Sequence, residues 1–142
     1  MSTETFFQDR NCQDQSFTFK TEGLVTYDQH HLHHIDFTYL EVFLTLHKDL
    51  LVADFNSRQV CGISNWKINL AEKITGLKCN LFNFNSPTFI PKLGDRKFGI
   101  YLLKLNELIY GALSKDEDGN SPEKRPTKFN DSVIYKFNEK AL

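Results

Sequence analysis

The sequence predicts an α+β domain: an antiparallel sheet of about four to six strands with two helices packed against it. Three observations carry this. Several short segments alternate apolar and polar residues and are rich in aromatic and β-branched types. Two longer stretches, 66–75 and 98–113, repeat apolar residues at helical spacing. The 142 residues fit one domain, 40% of them hydrophobic and 25% charged, which excludes a disordered chain, a collagen-like chain and a membrane bundle.

Residues 1–15 are polar and lack periodicity, so they read as an N-terminal arm. Residues 16–20 place Phe17 and Phe19 on one face of a strand; Gly23 permits a turn, and 24–27 form a second short strand. The run 34–46 is the strongest strand. Phe37, Tyr39 and Phe43 fall on one face and Leu40, Val42, Leu44 and Leu46 on the other, as in a central strand covered on both sides. His47-Lys48-Asp49 breaks the run and reads as turn chemistry. The apolar stretch 50–55 resumes it, which suggests a hairpin.

The first predicted helix, 66–75, has Asn65 as its cap, Trp66, Leu70 and Ile74 as its stripe, and Gly76 as its stop. Residues 79–84 return to alternation, and Asn85-Ser86-Pro87 with Pro91 marks an irregular connection. In 98–113, Tyr101, Leu102, Leu105, Leu108, Ile109, Ala112 and Leu113 share one broad helical face; the alternative is one strand over 98–105 and another over 108–113. Residues 115–130 are an exposed polar loop, and 132–137 a closing strand.

The net charge of −1 argues against indiscriminate nucleic-acid binding, but it hides a segregation. Between 22 and 56 stand six acids (Glu22, Asp28, Asp36, Glu41, Asp49, Asp54) and one base, Lys48. Between 58 and 104 stand eight bases (Arg58, Lys67, Lys73, Lys78, Lys92, Arg96, Lys97, Lys104) and two acids, Glu72 and Asp95. Either the acidic segment is a surface for a basic partner, or folding brings the two segments together.

Three cysteines, Cys12, Cys61 and Cys79, with no C-x-x-C spacing point to a reduced, cytoplasmic setting. Residues 1–10 lack the charged and apolar regions of a signal peptide. The apolar stretch 37–55 is interrupted by Glu41, His47, Lys48, Asp49 and Asp54, so no membrane span is expected.

The most conspicuous constellation is His30, His31, His33 and His34, flanked by Asp28 and Asp36. Imidazoles are common metal ligands, and either a strand or a helix would offer two nitrogens on one side, so zinc is the cofactor to consider. No H-E-x-x-H accompanies them. Nucleophile elbows and phosphate-cradling glycine loops are absent. Cys61 and Cys79 read as buried thiols, and 116–120 lacks the order of a calcium loop. Lys67, Lys73, Lys78, Arg96 and Lys97, interleaved with Phe82 and Phe84, could bind single-stranded nucleic acid.

The sequence thus predicts a single domain over 1–142 with no catalytic residues and no required cofactor. Its expected function is protein binding: an inhibitor, antitoxin or immunity protein that neutralises a basic toxin or enzyme through Asp28, Asp36, Asp49 and Asp54. The alternatives are a metal-dependent protein or small enzyme built on His30, His31, His33 and His34, and a nucleic-acid-binding domain built on the basic segment.

Overall fold

The computed structural model describes residues 1–28, 33–81, 87–105 and 107–136. Among them, nine strands and one α-helix follow in the order β1 (Ser2–Phe7), β2 (Gln15–Tyr27), β3 (His34–Leu46), α1 (Asp49–Arg58), β4 (Ala71–Lys73), β5 (Lys78–Cys79), β6 (Thr88–Phe89), β7 (Arg96–Lys104), β8 (Glu107–Gly111) and β9 (Phe129–Lys136). The chain divides into two compact units. The first holds Met1–Gly23 and Tyr39–Asp95, the second Leu24–Thr38 and Arg96–Leu142.

This architecture is mostly antiparallel sheet with a single α-helix, which corrects the expected α+β arrangement of two helices on a sheet. Neither predicted helix forms. The 66–75 stretch contains the short strand β4, and 98–113 contains β7 and β8, the two-strand alternative. The apolar positions of 98–113 satisfy a period of two as well as of 3.6, and Gly99 and Gly111 would weaken a helix interior. Pairing with β3 on one side and β8 on the other gives the β7 backbone ladder partners along both edges.

The one helix lies where the sequence suggested a strand, over 50–55. Within α1, Asp49 favours the first turn and Arg58 the last. Arg58 also holds Asp54 one turn back. Leu51, Val52 and Phe55 form its inward stripe, while Leu50 points to solvent. Four consecutive apolar residues, Leu50 to Ala53, gave no periodicity with which to separate helix from strand.

In the first unit, β1 pairs antiparallel with β2 from Ser2↔Thr21 to Phe6↔Phe17, so the polar N-terminal stretch is an edge strand. β2 neighbours β3, and β4 pairs antiparallel with β3. β5 and β6 form a separate ribbon. The core beneath is built from Val42, Leu44, Leu46, Phe55, Trp66 and Ile74, with Phe17 and Phe19 packed against it. Cys61 and Cys79, expected as thiols, are joined there in a disulfide, while Cys12 is exposed.

In the second unit the strand order is β2-β3-β7-β8-β9. The strong strand expected over 34–46 is β3; its first residues pair antiparallel with β7, from His34↔Ile100 to Thr38↔Arg96. The inner face buries Phe98, Ile100, Ile109 and Pro126. Gly111 is required there: a Cβ would stand 2.7 Å from Pro126 Cβ and 2.8 Å from Ile100 Cγ1. No described helix is long and apolar enough to cross a membrane.

Candidate functional site

The four aspartates expected to contact a partner are divided between the two units. Asp28 and Asp36 belong to the second unit, Asp49 and Asp54 to the first. Asp36 is mostly buried, with 16% of its side chain exposed, and accepts hydrogen bonds from Arg96 Nη2 and Arg125 Nη2, each at 2.7 Å. Asp54 is held by Arg58, whose guanidinium keeps the carboxyl below its ordinary range. Asp28 lies 4.0 Å from His34 Nδ1. Asp49 is exposed in the first turn of α1.

Folding therefore pairs the acidic segment with the basic one. Asp36 meets Arg96, Glu41 meets Lys73, and Asp54 meets Arg58. Much of the charge that looked segregated along the chain is neutralised locally, leaving less of it for a partner.

The histidine cluster is only partly described: His30 and His31 lie outside the described residues. His33 adopts a left-handed backbone conformation, φ 79°. Its Nδ1 lies 3.1 Å from the Tyr101 carbonyl oxygen. A carbonyl can only accept, so Nδ1 carries the proton. His34 opens β3. Among the described residues, no group of three histidine, cysteine or carboxylate side chains could hold a metal ion.

The basic residues are likewise divided between the two units. Lys67, Lys73 and Lys78 stand in the first unit, Arg96 and Lys97 in the second. Lys73 and Arg96 are ion-paired, Lys97 donates to Asn120 Oδ1, and Lys78 lies over the Phe89 ring. Phe82 and Phe84 lie outside the described residues.

A different surface does assemble, on the outer face of the second unit. Directly opposite residues in an antiparallel ladder share a face. The register sets Tyr101 opposite Tyr110, Leu103 opposite Leu108, and Leu108 opposite Tyr135. Val133, two residues from Tyr135 along β9, adds to it. Tyr27 joins from β2, its ring packed edge to face on Tyr101 with centroids 5.6 Å apart. Tyr110 and Tyr135 make a second such pair, also at 5.6 Å. Partial burial, then the neighbouring Tyr135 and Tyr27, raise the Tyr110 hydroxyl above its ordinary pKa.

These seven side chains are uncharged, and most are well exposed: Tyr27 62%, Leu103 55%, Tyr135 54%, Val133 44% and Tyr110 40%. The opposite face supplies the core through Ile100 and Ile109. Apolar side chains thus line both faces of this sheet. Four of the chain's five tyrosines stand on the outer one.

The sequence held a signal for this face, the period of two in Tyr101/Leu103, Leu108/Tyr110 and Val133/Tyr135. It was masked because several of the same residues also satisfy a helical stripe. A ladder of this kind combines rigid apolar area with hydroxyls that reach water, the composition of protein contact surfaces. The chain matches no protein-family model and no curated protein.

Proposed function

We propose that the chain is a protein-binding module of the inhibitor or immunity type, and that it engages its partner through the tyrosine face of the second unit. The observation that carries this is the continuous, uncharged outer face formed by Tyr27, Tyr101, Leu103, Leu108, Tyr110, Val133 and Tyr135. Half of an aromatic side chain of 150–250 Å² is about 100 Å². Four tyrosines, with two leucines and a valine beside them, therefore present several hundred Å², the scale at which an exposed patch signals an interaction site. Tyrosine fits this use because two χ angles hold a large contact area at low entropic cost. The contact proposed is apolar at its centre.

The test is affinity capture from the native host with wild type, Tyr110→Ala, Tyr135→Ala and Asp49→Lys, followed by titration of the stoichiometric partner. Loss of a central anchor should weaken binding by about 2 kcal/mol, roughly 30-fold, with Asp49→Lys near neutral. A partner that tolerates both tyrosine variants but not Asp49→Lys would restore the acidic-surface reading.

A further inference from the structure

In the first unit, three side chains form a directed hydrogen-bond relay. Thr18 Oγ1 lies 2.8 Å from His47 Nε2, and His47 Nδ1 lies 2.8 Å from Asn69 Oδ1. An amide oxygen only accepts, so Nδ1 carries the proton and Nε2 presents its lone pair to the Thr18 hydroxyl. Thr18 therefore donates to His47, and its remaining contact, Thr5 Oγ1 at 3.1 Å, donates to Thr18. The backbone fixes both ends. The His47 amide donates to the Ser16 carbonyl at 2.9 Å, and the Asn69 amide to the Leu46 carbonyl at 2.8 Å. Asn69 is in the left-handed region, φ 58°, which asparagine tolerates well and which turns its amide toward the imidazole.

A hydroxyl within reach of an imidazole that a third group orients is the arrangement of an activated nucleophile. We propose that Thr18, His47 and Asn69 form an acyl-transfer site, with Thr18 as nucleophile, His47 as general base and Asn69 as its positioning residue. Thr18 and His47 are partly buried and Asn69 is exposed; the substrate class proposed is a carboxylic ester with a small acyl group and a good leaving alcohol. Thr18 Oγ1 forms a bond to the acyl carbon as its proton passes to His47 Nε2. The bond from the acyl carbon to the leaving oxygen breaks, and that oxygen takes the proton from Nε2. Water, deprotonated by the same nitrogen, then attacks the acyl-threonine; the acid departs and Thr18 recovers its proton.

The experiment incubates the full chain with p-nitrophenyl acetate, follows p-nitrophenolate release and locates acetyl groups by peptide mass spectrometry. Wild type should acetylate Thr18. Thr18→Ser should retain the label at position 18 and Thr18→Val should lose it. His47→Gln, which can hydrogen-bond but not accept a proton, should slow it by about 10²-fold or more. Asn69→Ala should slow labelling less, with the circular dichroism spectrum unchanged. Acetylation confined to lysines, no acetyl on Thr18, or equal rates in wild type and His47→Gln would each overturn the proposal.

Discussion

Arg125 donates from Nη2 to Asp36 Oδ1 at 2.7 Å, while its Nη1 reaches the carbonyl oxygens of Gly99 at 2.5 Å and Ile35 at 3.3 Å. One guanidinium thus ties a mostly buried carboxylate to two strands of the second unit, β3 and β7. Arg96 completes the carboxylate from its other oxygen, and both guanidiniums lie over the Phe98 ring, at 4.9 and 5.4 Å. Arg125→Met would strip Asp36 of its more buried partner and remove the side-chain donor that bridges the Gly99 and Ile35 carbonyls. The expected loss is about 2–4 kcal/mol in urea unfolding. Arg96→Met, at a half-exposed position, should cost about 1 kcal/mol or less. Equal costs for the two variants would refute the assignment of Arg125 as the structural partner.

Gly119 is a second fixed point of that unit. Its φ is +69°, and a Cβ there would stand 2.5 Å from the Phe98 carbonyl oxygen. The approach is tight because the Phe98 amide donates to the Gly119 carbonyl at 2.8 Å and the Gly119 amide donates to Lys124. Gly119→Ala should lower stability by about 1–3 kcal/mol through backbone displacement. Gly94→Ala offers the comparison. Its φ is +87° but no atom crowds the added Cβ, so the conformational cost alone, about 1 kcal/mol, is expected. Similar melting shifts for both variants would remove the steric part of the account.

The parts of this fold legible in the sequence were those where one period dominated. β3 is apolar on both faces and its position matches the reading, while the 115–130 segment with its turn residues carries no strand before β9 begins at Phe129. The failures share a cause. In 98–113 the residues Tyr101, Leu105 and Leu108 fit two periods at once, and only the β3 and β8 ladders decide between them. In 50–55 the four consecutive apolar residues Leu50 to Ala53 single out neither period. The charge segments were visible, but their pairing is a long-range fact: Asp36 and Arg96 are 60 residues apart. The relay of Thr18, His47 and Asn69 was hidden for the same reason, since His47 read locally as turn chemistry.

The Cys61–Cys79 disulfide closes a loop of 18 residues beside the core of the first unit. Chain-entropy arithmetic gives about 3 kcal/mol for a loop of that length. Replacing both cysteines by alanine, or adding dithiothreitol, should therefore lower the urea midpoint. Trp66 is the natural reporter: it is buried in that core and donates from Nε1 to the Val60 carbonyl at 3.2 Å. Cys12→Ser, at an exposed position, should change nothing. A urea midpoint indifferent to reductant would show that the bridge adds no stability.

Acid sensitivity should trace in part to Glu117. Its carboxylate accepts from the Thr127 hydroxyl at 2.8 Å and the Thr127 amide at 3.2 Å. These hydrogen bonds, the hydroxyl first, hold its pKa below the ordinary 4.5. Asp118 is lowered in the same way by the Asn120 amide. A carboxyl whose pKa is lower folded than unfolded contributes stability that is present above the unfolded value and lost as pH falls through the folded one. Stability should thus be level from neutrality down to the mid-fours and decline below. Thr127→Val removes the hydroxyl and returns the Glu117 pKa toward 4.5. The stability gap between wild type and Thr127→Val should be full at neutral pH and narrow as both carboxyls protonate below pH 4.5. Urea unfolding at a series of pH values reads this directly, and a gap that stays constant across the series would assign the Thr127 effect to packing instead of charge.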